Sequence, residues 1–288
     1  AASLIVSSCL ADFTDHPLQE SAVWTIDNLA KHSEDLASQL APAIPHLIQT
    51  IQQNSDITLK RISFSALADI ARHSLALSEL VLVDSLPFVI SSLSHDDSGV
   101  RKQASACLSQ FVKHTPPNPL LAQELLHVLP ALILALQDSS VSKNTATILR
   151  DLVRDEQFGL EIVKNGAVPA LVECVATEAK LPAIMCLGYL CVTEEIARSV
   201  FVANPVPMLK NGLINDPDEL VKGAIVWTCS QLGKHCSELA NRLAEADILR
   251  RILALYLHES SSPDLKIKCS ESLHILINQT TVLGTLER

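Results

Sequence analysis

The stretch LAKHSEDLASQLAP at 29–42 sets apolar residues at helical spacing around a polar Lys-His-Ser step, and that step returns in phase along the chain. IARHSLALSELV follows at 70–81, FVKHT at 111–115 and LGKHCSELA at 232–240. The basic residue falls at Lys31, Arg72, Lys113, Arg154 and Lys234. The spacings are 41, 41, 41 and 80, the last being two periods with a degenerate unit, CVTEEIA, between them. A second marker keeps the same rhythm. Pro45, Pro87, Pro130, Pro169 and Pro207 each open an apolar run (PHLI, PFVI, PALI, PALV, PMLK), 42, 43, 39 and 38 residues apart. Pro suits the first helical position, where the N–H has no intrahelical partner, so each run predicts a helix that begins at its Pro. A third marker, Asp56, Asp97, Asp138 and Asp218, precedes an apolar-periodic stretch by a few residues, as an acidic N-cap would.

Three markers in phase predict three helices per period of about 41 residues and an all-α solenoid. The first helix follows the His-Ser step, the second starts at the Pro, and the third runs from the Asp to the Lys-His pair. Lys or Arg and His then close the third helix at the negative end of its dipole. Ser33, Ser74, Thr115 and Ser237 are the expected caps of the next first helix, with Glu34, Asp35 and Glu238 in its first turn. The expected organisation is one array over 1–288. It comprises a partial repeat at 1–32, full repeats at 33–73, 74–114, 115–155, 156–194 and 195–235, and a last repeat at 236–288. The first residue is not Met and the last repeat stops in mid-pattern, so the array is expected to be a piece of a longer one.

NGAVPALVECV at 165–175 and SAVWTIDNLAKHS at 21–33 resemble the second and third helices of the armadillo-repeat family. LKRISFSALADIARHS (59–74), LPAIMCLGYL (181–190), VWTCSQLGKHCSELA (226–240) and SSPDLKIKCSESLHILIN (261–278) resemble, within it, the armadillo proteins of the axonemal central apparatus. In LPAIMCLGYL, Pro182 and Gly188 are expected to break the third helix. The resemblance implies a right-handed armadillo α-solenoid and a microtubule-associated, non-enzymatic protein-binding scaffold in the cytoskeleton of a cilium or flagellum. The implied partners are other axonemal proteins or tubulin, and arrays that stack end to end through apolar ends are a further expectation.

Two surfaces are candidates for partner binding. The import-receptor branch of the armadillo family reads basic peptides in its concave groove with a Trp and, four residues on, an Asn, repeated in series. Here the Trp phase reads Trp24, Ser65, Ala106, Thr147, Met185 and Trp227. The Asn phase reads Asn28, Asp69, Gln110, Asp151, Tyr189 and Gln231. Only Trp24 and Asn28 match in full, which leaves a cargo adaptor of the importin-alpha type as the second reading. The other surface is a basic edge: Lys60, Arg61, Arg101, Lys102, Lys143, Lys180, Lys222 and Lys266 stand near the starts of the third helices. Cations there oppose the helix dipole. Either they face an acidic partner such as a tubulin tail, or they form local i,i+4 pairs (Asp56 to Lys60, Asp97 to Arg101, Asp218 to Lys222).

Composition narrows the chemistry. The chain is 48% apolar but only 3% aromatic, with 8 Gly, which disfavours a sandwich or barrel. Its net charge of −10 argues against wrapping nucleic acid. The longest apolar run, VLPALILAL at 128–136, is too short to span a bilayer, so no membrane role is expected. The first Lys is Lys31, so no signal peptide is expected. Eight Cys without a C-x-x-C pair read as reduced core thiols of a cytosolic protein. His32, His73, His114 and His235 recur one helix spacing apart, too far to share an ion whose bonds are about 2 Å, so no metal or cofactor is expected. No nucleotide-binding, zinc-hydrolase or serine-hydrolase motif is present, and the reading is non-enzymatic.

Overall fold

The computed structural model describes residues 9–10, 15–113 and 119–281. All regular structure among them is helical. The third helices of the period are α1 (His16–Ala30), α4 (Ile57–Ala71), α6 (Ser98–Lys113), α8 (Ser142–Leu152), α11 (Lys180–Leu190), α14 (Glu219–Gly233) and α17 (Pro263–Gln279). Between them lie α2 (Glu34–Leu40), α3 (Ile44–Gln53), α5 (Leu75–Ser92), α7 (Pro119–Ala135), α9 (Glu156–Lys164), α10 (Ala167–Cys174), α12 (Glu194–Val202), α13 (Val206–Asn215), α15 (Ser237–Glu245) and α16 (Ile248–Leu257). Contacts divide the chain into two compact units, 1–128 with 138–148, and 129–137 with 149–288.

Side-chain caps open several of the helices. Asp56 accepts from Thr58 N and Leu59 N, Asp97 from Val100 N, and Asp218 from Leu220 N. Ser33 accepts from Leu36 N. Ser74 occupies an N-cap position without a side-chain bond, and Cys236 rather than Ser237 is the N-cap of α15. Thr115 and His114 lie outside the described residues.

The Pro marker divides the repeats into two kinds. Pro45 and Pro207 stand in the first turns of α3 and α13, and Pro169 is the third residue of α10, so these runs do open a separate second helix. Pro87 and Pro130 instead lie inside α5 and α7, where the expected first and second helices run on as one. Three separate helices follow a left-handed residue, Gly166 (φ 76), Asn204 (φ 59) or Asp247 (φ 71), which turns the chain. The positions three before the interior prolines hold Asp84 and His127, and there the chain stays helical. An uninterrupted α5 keeps Leu77, Val81, Leu82, Leu86 and Val89 buried along its length. Burying such side chains is worth about 1.5–3 kcal/mol each, enough to outweigh the roughly 3 kcal/mol cost of one interior Pro.

LPAIMCLGYL is also not broken. It forms the continuous α11, with Pro182 in the first turn, where its missing N–H costs nothing. Gly188 is required by packing. A Cβ there would stand 2.3 Å from Cζ3 of Trp227 and 2.8 Å from Oγ1 of Thr228, so the glycine lets α14 lie directly against α11. Thr228 Oγ1 donates to the Ile184 carbonyl at 2.9 Å across the same contact.

In each unit the core is Leu, Ile, Val, Ala and Cys from neighbouring repeats. Leu67, Ile70 and Leu108 in the first unit and Leu187, Ile225 and Leu232 in the second are wholly shielded. No single repeat could bury these stripes alone, as expected of a repeat architecture.

Candidate functional site

Three of the basic residues at third-helix starts, Arg61, Arg101 and Lys180, reach the next repeat. In the first unit, Arg61 Nε and Nη2 donate to Oδ1 and Oδ2 of Asp97 at 2.9 and 2.5 Å. Arg101 Nε and Nη2 donate to Oδ2 of Asp138 at 3.0 and 2.8 Å, and its Nη1 to the carbonyls of His95 and Asp96. In the second unit, Lys180 Nζ donates to Oδ2 of Asp216 at 2.5 Å. The acceptor is therefore the Asp 36 or 37 residues further on, before the following third helix. The expected i,i+4 partner of Arg101, Asp97, is instead held by Arg61, because a guanidinium reaches the next repeat's loop in bidentate geometry that its own first turn cannot offer. Arg61 together with the Val100 N–H holds the Asp97 carboxyl down at about 2. Lys60, Lys102, Lys143, Lys222 and Lys266 have no ion-pair partner among the described residues.

The His of the repeat corner is a second inter-repeat bond. His73 Nε2 lies 2.6 Å from the carbonyl of Ala30, and His235 Nε2 lies 2.9 Å from that of Cys191. A carbonyl only accepts, so each imidazole donates from Nε2 and satisfies the last turn of the preceding third helix. Lys113 Nζ extends the theme to the Arg72 carbonyl at 3.4 Å.

Some residues of the Trp and Asn phases come together. In the first unit, Ser65, Asp69, Arg72, Ala106, Gln110 and Lys113 line a hollow of about 340 Å³, which brings together two repeats of the series. Trp24 is 46% exposed, but the Asn28 amide donates to the Trp24 carbonyl of its own helix at 2.8 Å. Asp69 pairs with Arg72 at 3.1 Å and with Lys31 at 3.7 Å. Its carboxyl is pushed up by burial, against the pull of Arg72. Lys31 is also held by the buried Asp27, whose Oδ1 has no hydrogen-bond partner. In the second unit, Asp151 is buried and locked by Arg150 through two 2.8 Å bonds. Tyr189 meets Trp227 edge to face with centroids 4.8 Å apart, and Gln231 accepts from Lys234. The polar side chains of these two phases are thus largely engaged within the chain. No group of three or more potential metal ligands is gathered among the described residues.

Comparison with known proteins agrees with this architecture. A HEAT repeat model matches residues 86–115, which run from the end of α5 through α6. The chain is 33% identical over 81 residues to sperm-associated antigen 6 of Mus musculus and 32% identical to that of Homo sapiens. That stretch is 28% of this chain and 16% of either relative. It is also 24% identical over 220 residues to importin subunit alpha-8 of Arabidopsis thaliana, covering 74% of this chain and 49% of that one. An engineered protein of known structure superposes with a TM-score of 0.82 at 17% identity, covering 98% of this chain and 69% of its own. A designed armadillo repeat protein in complex with the peptide (KR)4 superposes with a TM-score of 0.60 at 15% identity, over 96% of this chain and all of the other. The chain therefore has the armadillo/HEAT repeat fold.

Proposed function

We propose that this protein is a non-enzymatic scaffold of the axonemal central apparatus in motile cilia or flagella, on which other axonemal proteins or tubulin dock. The observation that carries the reading is the 33% identity to sperm-associated antigen 6 over 81 residues. The free lysines of the basic edge, Lys60, Lys102 and Lys143 in the first unit and Lys222 and Lys266 in the second, are its docking cations. Arg61, Arg101 and Lys180 hold neighbouring repeats together beneath them. The test is the position of the tagged full-length protein in a ciliated cell. Signal along motile axonemes that is lost where the central pair is missing supports the scaffold, and a diffuse or nuclear signal rejects it. Charge reversal of Lys60, Lys102 and Lys143 to Glu then tests the edge: recruitment that persists unchanged removes it as the docking surface.

The second reading is a cargo adaptor that carries basic peptides in the concave groove. The similarity to importin subunit alpha-8 over 220 residues favours it, and the lone Trp24/Asn28 pair opposes it. Failure of a nuclear-signal peptide to bind at micromolar concentration removes the adaptor.

A further inference from the structure

Helix α5 has more apolar surface than its packing uses. It is long and apolar enough to cross a membrane by length and composition, yet only 39% of it is buried. Leu75, Leu80 and Val83 are 51, 49 and 65% exposed. Leu82, Val83, Leu86, Pro87 and Ile90 form a stripe at helical spacing, and with Gln123 and Glu124 of α7 they enclose a cleft of about 440 Å³. That volume accommodates large apolar side chains of a ligand. The cleft lies wholly within the first unit and shares no lining residue with the concave hollow or the basic edge.

Two features state what it would hold. Glu79, Asp84 and Glu124 are all exposed, and Glu79 continues the Val83 stripe one turn toward the N-terminus. Neither α5 nor α7 contains a Lys or Arg, and His127 is their only base. Glu124 lines the cleft, and neither helix carries a Lys or Arg to offset it or the exposed Glu79 and Asp84. The second feature follows from the interior Pro. Pro87 has no N–H, so the carbonyl of Val83, four residues earlier, lacks the donor that the helix would normally supply. Val83 and Pro87 both line the cleft, so the Pro ring stands in its wall where an N–H would otherwise be.

We propose that the cleft between α5 and α7 docks an amphipathic helical segment of a partner protein, with Leu-like anchors in the cleft and flanking Lys or Arg against Glu79, Asp84 and Glu124. This surface does not depend on where in the cell the protein works, and it holds equally for the scaffold and the adaptor. An acidic rim disfavours an anionic membrane, and an acidic copy of the same face would repel it, so a basic peptide is the occupant that the charges select.

The test uses the full chain and two fluorescein-labelled helical peptides that share one Leu stripe, one with Lys and one with Glu on the polar face. The expected result is binding of the Lys peptide that weakens with salt and loosens about tenfold in Val83→Asp, as loss of a central anchor site would give. Glu124→Lys and Pro87→Ala should each loosen it by about threefold, the latter by removing the ring from the cleft wall. Val83 and Glu124 are exposed, so helicity and melting should not change; if Val83→Asp unfolds, the other two variants carry the test. The proposal is overturned if the Lys peptide does not bind, if the Glu peptide binds as tightly, or if the variants bind like the parent. It is also overturned if Val83→Asp abolishes a concentration-dependent dimer, which gives the face to a second copy. Flotation with phosphatidylcholine vesicles that Val83→Asp abolishes gives the face to lipid and overturns the proposal as well.

Discussion

Arg101 sets its Nε and Nη2 on one oxygen of Asp138, 37 residues ahead, while Asp97, four residues behind it, is held by Arg61 of the preceding repeat. Each Asp thus serves twice in the first unit. It caps or orders the start of its own third helix and anchors the cation of the repeat before. A period of about 41 residues in both the cation and the Asp is what brings the two together once repeats stack.

The Asp97 carboxyl should titrate far below an ordinary carboxylate because Arg61 and the Val100 N–H stabilise its charged form. The folded value is depressed, so the contribution of this group to stability is present above about pH 4 and is lost as the pH falls toward 2. Carbon-detected NMR titration should place the midpoint at about 2 in the parent and move it upward in Arg61→Gln. An unchanged midpoint would mean that Arg61 is not the cause.

Gly188→Ala should destabilise the second unit by about 1–3 kcal/mol, because the new Cβ collides with the Trp227 ring. Chemical denaturation followed by Trp fluorescence reads both the lower midpoint and the altered ring environment. Smaller loss in the double variant with Trp227→Leu would locate the strain at that contact.

His73→Ala should cost about 1–3 kcal/mol, since it leaves the buried Ala30 carbonyl without a donor. His73→Gln, which can still present an N–H, should recover part of the loss. Equal unfolding midpoints for all three proteins would show that the bond contributes nothing.

Among the described cysteines, Cys9 and Cys236 are partly exposed and the other six are buried. Burial pushes the thiols of Cys191 and Cys229 up to about 12 and that of Cys269 to about 11, and raises those of Cys107, Cys174 and Cys186 as well. A disulfide reagent should modify Cys9 and Cys236 in the native protein, and the others only with unfolding. Mass-mapped labelling of any buried site before these two would contradict the packing.

Much of this site is legible in the chain, and the reasons for the rest are local. Asp56 and Ser33 are recognisable as caps because a short acceptor before an apolar-periodic run has few other uses. The partner of Asp97 is not, because linear spacing favours Arg101, four residues on, over Arg61 of the preceding repeat. Pro87 and Pro169 open similar apolar runs, yet one lies inside a helix and the other follows a turn. The difference lies in what precedes them: Gly166 adopts a left-handed backbone and Asp84 does not. Tyr189 and Gly188 read as defects of a repeat along the chain, and Trp227, packed against both, supplies their reason.

The period, the all-helical repeat and the residues that close each third helix follow from the order of amino acids alone. They depend on interactions within a few turns, where apolar spacing, Pro, Asp caps and basic helix ends leave their own marks. Which carboxylate each cation meets, which carbonyls His73 and His235 satisfy, and where two helices merge into one with an open acidic cleft beside it emerge only when repeats pack. Those outcomes are set by how closely one repeat approaches the next, a distance that no single repeat encodes.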